Sequence, residues 1–374
     1  MSESAVRPST ALTLPTARIG GMTVCVVLLL ALAWNAAAQP HGTLRLAESV
    51  PIGASLGAVL LLTEFGFAGA FRRVVTHGDV SAFRAHTVML GVASALMIPM
   101  LSLGHVFGHA LHGEATPIGV AFILGALLFG AGMQWGGGCA SGTLFALGGG
   151  NARLLGTLLG FVVGSGIGAW SMGWFWTLPA LPGVTVQALF GTWGGLAIQL
   201  AVLLAAFVAM RGSAIPRRLL IGGIALAVLN AATLVVIGKP WGETSAFALW
   251  GSKWAGALGF SPESWAYWLR PGFTGKLAAP VTLDVTSLMD ASIVLGAVLA
   301  ALASRRFDWR SRFSPRAWAM ALLGGIAMGF GARLANGCNI GAYFSAISVG
   351  NVSGWVWMAA ALAGSWIGVR LRGN

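Results

Sequence analysis

Residues Gly130–Phe145 read GAGMQWGGGCASGTLF, and residues Gly329–Phe344 read GFGARLANGCNIGAYF. Gly130, Gly132, Gly138, Cys139, Gly142 and Phe145 fall on Gly329, Gly331, Gly337, Cys338, Gly341 and Phe344. A Gly-Asn pair follows each copy, Gly150–Asn151 and Gly350–Asn351, one residue out of register. The flanking apolar segments 86–107 and 117–135 correspond to 285–304 and 317–335. A shared Gly-Cys-x-x-Gly centre marks an internal duplication. Its units span 52–176 and 219–374, with a linker over 177–218 and an N-terminal stretch over 1–51.

The solvent of this duplication follows from composition. Hydrophobic residues make up 57% of the chain and charged residues 9%, against about 25% charged in a soluble domain. So little charge cannot cover a water-facing surface, and lipid is the simplest alternative. The 55 glycines fit the same reading, because small residues let membrane helices approach closely. The net charge of +12 would point to nucleic acid in a soluble protein. Here the basic residues lie in short runs between apolar segments, with no basic-aromatic stripe, and a nucleic-acid partner is excluded.

A helix needs about 20 apolar residues to cross the bilayer. Ten segments qualify: 18–38, 52–71, 86–107, 117–135, 154–176, 193–210, 219–237, 285–304, 317–335 and 353–370. The first follows Arg7 and Arg18, but it is long and lacks a convincing cleavage site, so it reads as a retained helix. With the N-terminus inside, the inner loops carry Arg72, Arg73 and Arg84, then Arg153, then Arg211, Arg217 and Arg218, then Arg305, Arg306, Arg310, Arg312 and Arg316. Arg370 and Arg372 follow the last crossing. This is the positive-inside distribution. It predicts cytoplasmic N- and C-termini in a bacterial-type inner (plasma) membrane.

Two glycine-rich stretches, Gly136–Asn151 and Lys239–Phe260, are too short to cross. Irregular backbone at membrane depth survives only inside protein or beside water, so both read as re-entrant. Five crossings separate the starts of the two units, so the copies are inverted. The fold expected is an all-α polytopic membrane protein of about ten transmembrane helices, in two inverted repeats with short re-entrant helices. Inverted repeats place a transport path at their interface, and Cys139 and Cys338 then approach it from opposite faces.

The three cysteines, Cys25, Cys139 and Cys338, form neither a disulfide framework nor a metal-ligand spacing. Cys25 lies in a plain Val/Leu run and reads as packing. Cys139 and Cys338 stand among Gly138, Gly142, Gly337 and Gly341, which leave a thiol uncovered. Soft sulfur suits a soft substrate such as a sulfur species, a selenium species or a soft metal. Arg333, five residues before Cys338, either attracts an anion or reaches for the outer surface; Gln134 is its counterpart before Cys139. Glu64 and Asp290 are acids within crossings and hence functional candidates, as are Lys239, Glu243 and Lys253. His105, His109 and His112 share one face of a helix end and read as a solvated terminus or, less simply, a metal site. There is no GxxxxGK[ST] nucleotide motif and no nucleophile–base pair in sequence. Neither an enzyme nor a cofactor is expected.

Four stretches give the chain a resemblance to the YeeE/YedE family of sulfur-transport membrane proteins: Phe65–Arg73 (FGFAGAFRR), Gly137–Asn151, Gly238–Lys253 (GKPWGETSAFALWGSK) and Gly331–Trp357. The resemblance implies an hourglass of inverted halves with short helices dipping in from both sides. It also implies thiosulfate passed between thiols by S–H···S hydrogen bonds, with Cys139 and Cys338 as two path cysteines. That family has nine crossings, so segment 18–38 is an added one. Its first cysteine stands in an Arg-Phe-Cys-Phe context, where this chain has Glu64-Phe65-Gly66-Phe67. Gly66 thus replaces a thiol and Glu64 a cation. The function expected is uptake of a small, thiosulfate-like sulfur anion from the bilayer-embedded path, with a soluble cytoplasmic sulfur carrier as a further partner. The alternatives are transport of a selenium compound or another soft sulfur species, and a sulfur-binding membrane scaffold or sensor.

Overall fold

The computed structural model describes residues 15–39, 43–211, 214–273, 275–309 and 313–372. Arg7, Arg310 and Arg312 lie outside the described residues. The chain is almost wholly helical: α1 (Pro15–Ala38), α2 (Leu44–Thr63), α3 (Phe67–His77), α4 (Ser81–Ser102), α5 (Val120–Gly136), α6 (Ala140–Gly148), α7 (Leu154–Phe175), α8 (Val186–Ala209), α9 (Arg217–Ile237), α10 (Thr244–Ala257), α11 (Val285–Ala303), α12 (Pro315–Leu334), α13 (Ala346–Ser348) and α14 (Ser353–Arg372). A π-helical segment, Asn339–Ser345, leads into α13. Among the described residues, nine helical spans are long and apolar enough to cross a membrane. The expected last crossing is also a 20-residue helix, α14; its three tryptophans, serines and terminal arginines make it more polar than the others.

Helix ends follow local chemistry. Thr43, Asp284 and Ser314 cap α2, α11 and α12 by accepting the amides of Leu46, Ser287 and Ala317, which satisfies donors that a helix start leaves open. The helices bury each other rather than a water-soluble core. α7 and α11 are the most enclosed, and α1 and α8 show most of their apolar surface outward.

The element order repeats. Long α2, short α3, long α4 and α5, short α6 and long α7 are followed, after α8, by long α9, short α10, long α11 and α12, the short π/α13 segment and long α14. Packing obeys the same exchange. α2 lies against α11 as α9 lies against α4; α5 lies against α14 as α12 lies against α7; and α5 and α12 touch each other. Glycines carry these contacts. A Cβ on Gly130 would collide with the carbonyl oxygen of Ala361, and one on Gly329 with that of Phe161. A Cβ on Gly364 would strike the carbonyl of Leu127, and one on Gly164 that of Ile326. Each contact thus has its counterpart about 200 residues away, as a two-fold relation between halves requires. Five spans lie between the start of α2 and the start of α9, so the halves run in opposite senses.

Three expectations need correction. The crossing at 52–71 is two elements: α2 starts at Leu44 and stops at Thr63, and α3 begins at Phe67. The break follows from Glu64, in a left-handed conformation (φ 53), and extended Gly66. Second, the short elements number four, not two, because α3 and the segment after Cys338 pair with α10 and α6. Third, His105 and His109 are not on a helix. α4 ends at Ser102, and both residues sit in a small antiparallel hairpin, His105 opposite Ala110 and Val106 opposite His109. Among the described residues no cluster of three metal-ligating side chains forms.

Candidate functional site

Both repeat cysteines stand at the heads of short helical segments, and both are buried, each at 1% exposure. Cys139 precedes α6. Its carbonyl accepts the amide of Thr143 at 2.8 Å and the hydroxyl of Thr143 at 2.7 Å, which fixes the first turn. Its sulfur lies 3.4 Å from the Ser141 hydroxyl and is approached by the amides of Gly142 and Ala68. Cys338 precedes the π segment. Its sulfur accepts the Ile340 amide at 3.4 Å, and its thiol donates toward Glu243 Oε2 at 3.9 Å. Each thiol therefore faces two helix starts: its own and that of the other short helix in its half, α3 for Cys139 and α10 for Cys338.

The flanking glycines keep this geometry. A Cβ on Gly142 would stand 3.4 Å from the Cys139 sulfur, while one on Gly341 would meet only the Gly242 Cα, at 3.9 Å. Gly138 packs against the backbone of Gly142, and Gly337 holds φ +148, with a hypothetical Cβ 2.8 Å from the Ala342 amide. That backbone conformation excludes a side chain. The two thiols lie within charge range of each other, and both lie within range of Glu243. The structure thus brings together Cys139 and Cys338. Cys25 is apart from them, in α1, which packs on α2 and α11.

The Gly66 substitution leaves space. Gly66 has φ −105 and ψ 115, open to any residue, and a Cβ there would meet nothing nearer than the Glu64 carbonyl at 4.0 Å. Glu64, an acid the sequence places within a crossing, faces water and pairs locally. It sits at the exposed end of α2 and pairs with Arg218 at 2.6 Å and Arg306 at 3.8 Å. Two arginines thus face the one acid at this end, so its surroundings stay basic. Arg372 lies within charge range of Arg72 and Arg153, which joins three loops of the expected inner face into one basic surface.

On the other side a cavity of ≈470 Å3 reaches inward. Its lining includes Lys239, Arg270 and Arg333 together with Gly337, Gly341 and Glu243, residues around Cys338. Arg333 does not extend to the surface. It is 7% exposed, and it donates to the Tyr267 hydroxyl at 2.7 Å and to the Thr244 hydroxyl at 2.5 Å, which ties α12 to the start of α10. Lys253 is turned away and donates to the carbonyls of Leu277 and Ala279.

Several buried polar atoms near this seam have no hydrogen-bond partner among the described residues. They include both side-chain atoms of Asn339, Nε1 of Trp241, Nε2 of Gln134, Oε1 of Glu243 and both carboxylate oxygens of Asp290. Unsatisfied buried polar groups are costly and cluster where water or a ligand completes them. Asn339 and Trp241 were not foreseen; adjacency to Cys338 and to the Gly-Lys-Pro-Trp-Gly run was the available signal. The base missing beside each thiol in sequence is supplied for Cys338 by Glu243, 95 residues away in the chain.

The profile of the Sulphur transport family matches residues 62–367. The chain belongs to this family. It is 32% identical over 147 residues to the probable transporter YedE of Escherichia coli K12, a match covering 39% of this chain and 36% of YedE. The YedE protein of Salmonella typhimurium LT2 matches over the same shares. The thiosulfate transporter TsuA of Spirochaeta thermophila is 25% identical over 340 residues, 84% of this chain and 95% of TsuA. The match thus spans little more than a third of the YedE proteins and nearly all of TsuA. Membership accounts for the multi-pass helical architecture, and the matched region contains both repeat cysteines, all four short segments and the basic cavity.

Proposed function

We propose that the chain takes up a small sulfur-containing anion of the thiosulfate type across the inner membrane, passing it by Cys338 and then Cys139. One observation carries this reading: a cavity lined by Lys239, Arg270 and Arg333 is also lined by Gly341 and by Glu243, which contacts the Cys338 thiol. Lys239 and Arg270, with Arg333 buried behind them, make the cavity cationic, so that it attracts an anion and holds it while it loses water. Arg333, Asn339 Nδ2 and Trp241 Nε1 supply N–H donors, and the weakly polar thiols accept and donate S–H contacts to a soft terminal sulfur. Cys139 then receives the anion, with the amides of Gly142 and Ala68 behind it, and Gly66 leaves room between this thiol and the basic face. The name of TsuA supports thiosulfate as the solute.

The arginine-rich face is cytoplasmic, with both termini on that side, and a soluble sulfur carrier of complementary acidic surface docks there. Moving a dianion inward against an interior-negative potential of about 100 mV costs about 4.6 kcal/mol, at about 2.3 per charge. Net uptake therefore needs a coupled ion. The test is growth on thiosulfate as sole sulfur source in cells lacking other sulfate and thiosulfate uptake. The native chain supports growth, and Cys139→Ala or Cys338→Ala does not; growth of either variant at the native rate, at equal membrane abundance, rejects the path.

A further inference from the structure

Asp290 is fully buried in α11, and neither of its carboxylate oxygens has a hydrogen-bond partner. Glu243 is 1% exposed, and among the described residues the only hydrogen-bond partner of its carboxylate is the Cys338 thiol, on Oε2. α10, which Glu243 precedes, is hydrogen-bonded to α11. Ser245 of α10 donates to Thr286 of α11 at 2.9 Å, and Trp250 donates to Ser287 at 2.9 Å. Asp290 lies one turn beyond both, and residues four and three apart share a helix face. Asp290 therefore shares the face of α11 that meets α10, the helix that Glu243 heads, and the two acids lie within charge range.

The charged groups on neighbouring elements are engaged elsewhere. Asp284, at the head of α11, caps the helix through Ser287. On α2, Arg45 donates to the Val236 carbonyl, and Glu64 is held by Arg218 and Arg306; Glu48 lies on the turn next to Arg45. On α10, Lys253 is bound to two carbonyls. On α1, Arg18 lies toward the far end of α11, because neighbouring Gly21 packs on Leu302. Cys139, heading α6, Cys338, and Lys239 and Arg270 in the lining of the cavity are the remaining titratable neighbours, and Arg333 on α12 bonds to Tyr267 and Thr244. Among the described residues no cation pairs with either acid.

We propose that Glu243 and Asp290 form a proton-binding site that couples proton entry to sulfur-anion uptake. The argument rests on the transport reading above. Two ionised carboxylates in this enclosed seam would repel an anion beside Cys338, and among the described residues neither is ion-paired to a cation. A proton taken from the cavity converts one carboxylate to a carboxylic acid, and the same proton leaves to water on the opposite side after the anion has passed. Anion and proton then bind with mutual gain, as linkage requires, and the inward charge movement is reduced.

Two measurements test this on the purified full-length chain. Infrared difference spectroscopy reads the C=O stretch of a protonated carboxyl group on addition of thiosulfate. A band that shifts in the native chain, disappears in Asp290→Asn and returns displaced in Asp290→Glu is expected. Absence of the band, or the same band in Asp290→Asn and Glu243→Gln alike, overturns the site whether or not transport is seen. In proteoliposomes, a trapped pH dye and labelled thiosulfate together give protons moved per anion. Lumen acidification with each anion is expected, with uptake rising several-fold as the outer pH falls from about 8 to about 6. Uptake without acidification, or uptake that follows a sodium gradient instead, overturns the coupling. A band present without any uptake rejects the transport reading and leaves the proton site standing.

Discussion

The Cys338 thiol and the Glu243 carboxylate meet across 3.9 Å although 95 residues separate them. The contact exists because α10 enters from the same half as the π segment and places its first residues against the second repeat cysteine. It turns a small apolar packer into a polarised thiol beside a basic cavity. Removing the carboxylate while keeping its shape, in Glu243→Gln, is therefore expected to alter uptake without unfolding the chain. Initial uptake rates over a range of outer pH measure this: the variant's profile is flatter than the native one.

Arg333 is a test of the cavity itself. Arg333→Leu removes two hydrogen bonds and one of three cations, and charged hydrogen bonds contribute about 1.5–3 kcal/mol each. The apparent KM for the anion is expected to rise roughly tenfold or more. Arg333→Lys keeps the charge but loses the forked geometry, and should recover only part of the affinity. A KM equal to the native value in Arg333→Leu would show that the guanidinium is structural only.

Gly66→Cys asks whether the vacant thiol position is open. The backbone there accepts a side chain, and the nearest atom is 4.0 Å away. Expression and thermal stability are expected to match the native chain, within about 0.5 kcal/mol for an unstrained substitution. Thiosulfate uptake should rise, because a third soft contact then lies on the path from Cys139 toward the basic face. A misfolded product contradicts the open geometry.

Gly329→Val probes the two-fold packing. A Cβ there collides with the Phe161 carbonyl, so α12 must move off α7. Overpacking of this kind costs about 1–3 kcal/mol. The melting temperature in detergent is expected to fall, and Gly130→Val, its counterpart against Ala361, should lower it comparably. By contrast Glu64→Gln, an exposed pair, should change stability by less than about 1 kcal/mol.

Much of this architecture was legible in the chain. The glycines that repeat about 200 residues apart are the ones that carry α5 onto α14 and α12 onto α7, so the duplication reads directly as packing. The Gly-Cys centres mark the heads of short helices, and among their glycines Gly337, with φ +148 and a hypothetical Cβ 2.8 Å from the Ala342 amide, is the one that excludes a side chain. What the sequence hid depends on distance along the chain. Glu64 falls within an apolar run of the sequence, and its arginine partners come from α9 and from the loop after α11, which no local spacing shows. The break before α3 was missed because the apolar run continues through Phe65 and Phe67, and only the left-handed backbone at Glu64 ends the helix. Asp290 drew notice as an intramembrane acid, but its place on the face of α11 that meets α10 depends on hydrogen bonds between the two helices that no spacing encodes.

The central claim, that the anion passes the two repeat thiols, is tested most directly by uptake of labelled thiosulfate into proteoliposomes containing the purified chain. The native chain is expected to accumulate label in its lumen, and Cys338→Ala, incorporated to the same density and of native melting temperature, is expected to accumulate no more than empty vesicles. Native-rate uptake by Cys338→Ala would contradict it.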